Sequence, residues 1–182
     1  IRLFPGDISG DLTRFPEEGF IWNAEVVDAK AGTAVAFIGD WDGDGVEDIM
    51  AGAPYDVENT GMAYLFSSDM DSGTLAGART VRGSELTDNF FGQAIMAVGD
   101  IDDDGLDDVM IGARKDSTAR PGGGSITLFY GGDTERDFLS TDDAIYGETN
   151  NEQFGYSMAD VGDTDGDGVP NYLVGSPYCE AE

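Results

Sequence analysis

Asp40-Trp41-Asp42-Gly43-Asp44-Gly45-Val46-Glu47-Asp48 decides how this chain is read, because the pattern recurs twice. The second copy is Asp100-Ile101-Asp102-Asp103-Asp104-Gly105-Leu106-Asp107-Asp108. The third is Asp163-Thr164-Asp165-Gly166-Asp167-Gly168-Val169-Pro170-Asn171, and the spacings between copies are 60 and 63 residues. Carboxylates at positions 1, 3 and 5 converge only where the backbone turns sharply, and glycine at position 6 (Gly45, Gly105, Gly168) permits that turn. The side chain at position 9 (Asp48, Asp108, Asn171) and the carbonyl at position 7 (Val46, Leu106, Val169) would complete an all-oxygen shell of the kind Ca²⁺ takes. Three calcium sites are therefore expected. A helical EF-hand would need a bidentate Glu at position 12, where the chain has Ala51, Ile111 and Val174, so that loop type is excluded.

The flanks repeat with the loops, which isolated Asp-Gly turns would not require. Upstream stand Ala31-Gly32, Phe91-Gly92 and Phe154-Gly155, each opening a small-residue apolar stretch that ends in Gly-Asp. Downstream stand Gly52-Ala53-Pro54, Gly112-Ala113-Arg114 and Gly175-Ser176-Pro177. A period near 60 made of short apolar runs and Gly/Asp turns points to β-propeller blades. First strands are expected at 33–39, 93–99 and 156–162, small enough to sit near a crowded axis. Second strands at 48–53, 108–113 and 171–176 are continuously apolar and expected to be buried on both faces. Third strands at 63–67 and 126–130 are rich in β-branched and aromatic residues, and weaker fourth strands fall at 79–83 and 144–147. No helical pattern competes.

These residues resemble the FG-GAP repeat family, the calcium-binding blades of integrin α-subunit propellers and their prokaryotic relatives. The FG element stands intact as Phe91-Gly92 and Phe154-Gly155 and is Ala31-Gly32 in the first copy. The GAP element is complete only at Gly52-Ala53-Pro54, and Asn171 replaces the usual aspartate in the third loop. The resemblance implies all-β blades of four antiparallel strands, with calcium in the hairpin between the first two.

The ends are out of phase with the blades. Ile1-Arg2-Leu3-Phe4 aligns with Ala63-Tyr64-Leu65-Phe66 and Ile126-Thr127-Leu128-Phe129, so the chain opens at a third strand and closes just after a second. We expect one FG-GAP module over 1–182: outer strands in 1–30, a blade at 31–90, a blade at 91–153 and a half-blade at 154–182. Half-blades expose sheet edges, so either the chain is a piece of a larger propeller or its first strands complete the last blade of another copy.

Composition bounds the function. The chain has 182 residues and a formal charge of −28, with nine Lys and Arg against 37 acidic residues. Too few cations exist for phosphate recognition, so nucleic acid is not an expected partner. Three Ca²⁺ would offset only six of the negative charges. So acidic and lysine-poor a surface, with Lys30 and Lys115 alone, suits either a high-salt source or an acidic secreted protein. No run of about 18 apolar residues exists to span a membrane. Ile at position 1 and the absence of a signal-peptide pattern suggest a processed chain or an excised piece. Cys179 has no intrachain partner and is expected to be a small buried residue or to pair elsewhere. Calcium loops this charged suit the millimolar calcium outside cells and point to an extracellular or cell-surface location, with the periplasm as the alternative.

No enzyme activity is expected. The chain has no His, which removes Ser-His-Asp, Cys-His and imidazole-zinc chemistry, and Gly122-Gly123-Gly124 lacks the helix and Lys of a phosphate loop. The link 114–124 carries three of the nine cations and is a candidate contact loop. Trp41, at position 2 of the first loop, would either stack on a sugar or a protein from an exposed tip or pack against the adjacent blade. The resemblance implies adhesion or self-assembly through protein contacts; a carbohydrate-binding or substrate-docking propeller of a secreted enzyme is the alternative.

Overall fold

Short, mostly apolar runs bounded by glycine-containing turns form antiparallel ladders. The computed structural model describes residues 1–3, 20–23, 28–67, 73–74, 79–84, 86–132 and 143–179. The first full blade consists of β3 (Ala34–Gly39), β4 (Asp48–Ala53), β5 (Met62–Phe66) and β7 (Arg79–Arg82), in the spatial order β3-β4-β5-β7. The second is β8 (Phe91–Gly99), β9 (Asp108–Ala113), β10 (Ser125–Phe129) and β11 (Ala144–Tyr146), again in sequence order across the sheet. A third unit contributes the hairpin β12 (Ser157–Gly162) and β13 (Asn171–Gly175). All these pairings are antiparallel, so the chain is an all-β array of propeller-type blades.

Two further features lie outside the four-stranded sheets. β1 (Arg2–Leu3) pairs antiparallel with β2 (Phe20–Asn23), and β2 pairs in parallel with β6 (Gly73–Thr74). Most of the N-terminal segment expected to supply outer strands, residues 4–19 and 24–27, lies outside the described residues, as do Phe4 and 180–182. A single turn, α1 (Asp56–Asn59), follows the first blade's second strand; Val57, Glu58 and Asn59 have positive φ there, so it winds left-handed.

Packing between blades forms the core. Ile38, Met50, Leu65 and Val81 of the first blade meet Phe91, Val109, Ile111 and Phe129 of the second, with the Phe91 and Phe129 rings edge to face at 5.8 Å. Full burial of each such side chain stabilises the chain by about 1.5–3 kcal/mol. The blades come this close because glycine faces glycine. A Cβ on Gly52, the first residue of the downstream motif, would lie 1.9 Å from the carbonyl oxygen of Gly92 in the next blade. Gly112 stands in the same relation to Gly155, at 2.2 Å. Main-chain bridges fasten the same seam: Phe91 N–H donates to Thr60 O at 3.0 Å and Phe154 N–H to Gly123 O at 2.8 Å.

Trp41 takes the second of its two expected positions. Its indole is 2% exposed and packs in the inter-blade core, so it is not an exposed tip. The expectation of double-sided burial holds for β4 and β9 but not for β13, where Leu173 is 63% exposed. No further blade covers that hairpin among the described residues. Cys179 is exposed rather than buried.

Candidate metal centre

Each acidic loop sits where a first strand turns into a second, and the strand ends in the same irregularity every time. The ladder shifts register at Phe37/Gly39, Ala97/Gly99 and Asp160/Gly162, with the glycine at φ of +76°, +73° and +70°. Such a bulge twists the strand end and aims the next residues off the sheet. The position-1 aspartate then folds the loop around its own carboxylate. Asp40 accepts N–H bonds from Gly43 at 2.8 Å and Gly45 at 2.9 Å. Asp100 accepts from Asp104 at 3.0 Å and Gly105 at 2.9 Å, and Asp163 from Gly166 at 2.6 Å and Gly168 at 2.9 Å. The bonds from Gly168 and Gly166 hold the exposed Asp163 carboxyl below the usual carboxylate range.

Positions 1, 3 and 9 converge in the first two loops. Carboxylate oxygens of Asp40, Asp42 and Asp48, and of Asp100, Asp102 and Asp108, all lie within 4.8 Å of one another. The third loop gathers Asp163, Asp165 and Asp167 within the same distance. Position 5 turns one oxygen to its own loop in every copy: Asp44, Asp104 and Asp167 accept the N–H of Val46, Leu106 and Val169, each at 2.8 Å. Asn171 brings its amide oxygen to the Thr164 N–H at 2.8 Å and to the Thr164 hydroxyl.

Burial distinguishes the position-9 groups. Asp48 and Asp108 are both fully buried at the head of their second strands. Burial, and then the charge of Asp42, push the Asp48 carboxyl up to about 6. Burial likewise raises Asp108, against N–H bonds from Ile101 and Gly131. Asp48 Oδ2 accepts from Trp41 N–H at 3.0 Å and Asp42 N–H at 3.2 Å, whereas its Oδ1 is buried and has no hydrogen-bond partner. An orphaned carboxylate oxygen costs several kcal/mol unless something cationic meets it. The donors around it are all oxygen, which fits a hard divalent cation and not a soft one. Arg79, half exposed, forms an ion pair with Asp42 at 3.6 Å.

Three buried acids were not singled out from the sequence. Asp56 accepts from Val57 N–H and the Tyr64 hydroxyl; Asp116 accepts from Thr118 and, at 2.7 Å, from the Ser125 hydroxyl. Both stand two residues after the downstream motif, 60 residues apart, so the repeat carried the signal. The third copy has Cys179 at that place. Glu152 receives N–H bonds from Glu148 and Thr149 and a hydroxyl bond from Thr149. Asp107, in the second loop, reaches the main chain of the first.

Known proteins align over much of the chain. It is 30% identical to "Integrin alpha-PS2" of Drosophila melanogaster over 179 residues, covering 93% of this chain and 12% of that protein. It is 31% identical to "Integrin alpha-6" of Gallus gallus over 163 residues, 86% of this chain and 14% of that protein. "Integrin alpha-X" of Homo sapiens aligns over 107 residues at 34% identity, 57% of this chain and 9% of that protein. The chain therefore spans roughly an eighth of the length of the first two relatives. No protein-family model matches it.

Proposed function

We propose, from the premise that this chain is an integrin α-like FG-GAP domain, that it is a calcium-organised β-propeller module acting in adhesion or assembly through protein contacts. The observation that carries the calcium reading is the buried, unpartnered Oδ1 of Asp48 in a loop whose carboxylates already converge. In the first loop Asp40, Asp42, Asp44, Asp48 and the Val46 carbonyl are the ligands. In the second they are Asp100, Asp102, Asp104, Asp108 and the Leu106 carbonyl. The third uses Asp163, Asp165, Asp167, Asn171 and the Val169 carbonyl. Bound calcium supplies two positive charges per loop. The carboxylates can then stay ionised together, and each hairpin keeps one shape for its neighbour to pack on. The assignment predicts three calcium ions per chain by isothermal titration calorimetry. Absence of calcium-dependent heat, with a melting curve indifferent to EDTA, would refute it.

Protein contact is the favoured role because the chain concentrates cations in one place. Lys30 lies 4.6 Å over the Tyr55 ring, and Arg114 and Lys115 lie 3.9 and 5.6 Å over the Phe90 ring, which itself meets Tyr55 edge to face at 5.1 Å. None of these three makes an ion pair among the described residues, in a chain of net charge −28. Such a patch suits a carboxylate-bearing protein segment. A poly-glutamate peptide should bind at low salt and fail to bind Lys30→Glu/Lys115→Glu; equal binding to both would discard this face. Sugar stacking through Trp41 finds no support, since the indole is buried. No helix among the described residues is long and apolar enough to cross a membrane, and the calcium chemistry favours an extracellular or cell-surface setting.

A further inference from the structure

We propose that Asp107 is a positioning residue that couples the first two calcium loops, so that they bind calcium cooperatively while the third binds it independently. The inference rests on the calcium reading above. Asp107 occupies position 8 of the second loop, between Leu106 and Asp108, and is not one of the ligand positions. Its carboxylate crosses the blade interface and accepts the Asp40 N–H at 2.9 Å, while its own N–H donates to the Asp40 carbonyl at 3.2 Å. The approach depends on Gly39, where a Cβ would lie 2.0 Å from Asp107 Oδ2.

A second link joins the same two loops. Asp108 Oδ1 accepts the Gly131 N–H at 2.8 Å, and the adjacent Gly132 donates to the Trp41 carbonyl at 2.6 Å. Trp41 in turn donates its N–H to Asp48 Oδ2 at 3.0 Å. Both ends of the first loop's ligand set, Asp40 and Asp48, are thus tied to the segment 106–108 that supplies the second loop's last ligands. A cation that orders one loop fixes main chain that the other loop must also fix, so the second binding event carries a smaller entropy loss. Repulsion between the two bound cations opposes this effect, and salt screens it.

Among the described residues nothing comparable joins the second and third loops. Position 8 of the third loop is Pro170, which has neither N–H nor carboxylate. No hydrogen bond links 100–108 to 163–171 among the described residues; the third hairpin is held instead by Tyr172, whose hydroxyl donates to the Val98 carbonyl at 2.9 Å.

The test is a calcium chloride titration of the full chain, stripped of metal, followed by calorimetry. Wild type should show two coupled sites, with the first raising the affinity of the second on the order of fivefold or more, and one independent site. Asp107→Ala should still bind three ions but lose the coupling, and its Asp40 amide should exchange faster by NMR in the absence of calcium. Asp107→Asn, which keeps an acceptor oxygen, should retain part of the coupling. If Asp107→Ala does not fold, Asp104→Ala decides: weakening the second loop must also lower affinity at the first. Three independent sites in wild type, or undiminished coupling in a folded Asp107→Ala, would overturn the proposal while leaving calcium binding intact. Absence of calcium-dependent heat would overturn both.

Discussion

Glu152 shows what a single residue contributes in this chain. It is buried at a turn, and although burial raises its carboxyl, the bonds from Thr149 and Glu148 together prevail and hold it below its ordinary value. A depressed acid stabilises the fold above its unfolded-state value and loses that contribution as pH falls through the folded one. Glu152→Gln should therefore lower stability by about 1.5–3 kcal/mol near neutral pH, as measured by urea unfolding. The gap to wild type should narrow only below about pH 4.5; a pH-independent gap would contradict the assignment. Asn171 makes a second prediction at this scale. It is the only neutral group among the side-chain ligands, so the third loop should release calcium first on chelator titration, and Asn171→Asp should reverse that order. Asp44→Ala and Asp104→Ala should each remove about one bound ion.

Elements were largely legible in the sequence. β4 and β9 run over 48–53 and 108–113 as expected, and the remaining repeat strands fall within one or two residues of their expected bounds, because a glycine stands at or within one residue of an end of every one. What the linear pattern did not disclose is why its glycines stand where they do. Gly52 and Gly92, and Gly112 and Gly155, touch across neighbouring blades, a relation between residues 40 or more apart that no local propensity encodes. Gly52→Ala and Gly112→Ala should each destabilise by at least about 1–3 kcal/mol, because the added methyl meets a carbonyl that belongs to the adjoining blade's backbone and cannot rotate away. Wild-type stability in either variant, measured by denaturant unfolding, would show that the seam yields more than its geometry allows.

At the scale of the whole molecule, the proposed calcium ions and the exposed blade faces would together set the behaviour. Three clusters of converging carboxylates repel one another without a counterion, so EDTA should lower the melting temperature in moderate salt by more than a surface-charge effect. The last hairpin presents to solvent what its counterparts bury: Val161 and Leu173 are 45% and 63% exposed, whereas Ile38, Val98 and Met50 at equivalent places are buried. The first blade likewise exposes Val35 and Phe37. We propose that a further blade covers either face and that another copy of the chain supplies it, joined head to tail. Light scattering should then show concentration-dependent association with calcium that Leu173→Glu weakens. A wild-type chain that stays monomeric at high concentration would defeat this reading.

The sequence by itself determined the repeat and the strand order within a blade, and it carries the acidic spacing on which the proposed ligand positions rest, since all of these follow from spacing and residue type over a few positions. Only the tertiary structure decided that Trp41 is core, that Asp48 carries a buried oxygen without a partner, and that Asp107 belongs to its neighbour's loop as much as to its own. The reason is physical. Each of these depends on how one blade sits on the next, and the atoms that meet there come from segments about 60 residues apart, whose approach is set by packing and not by any local preference of the chain.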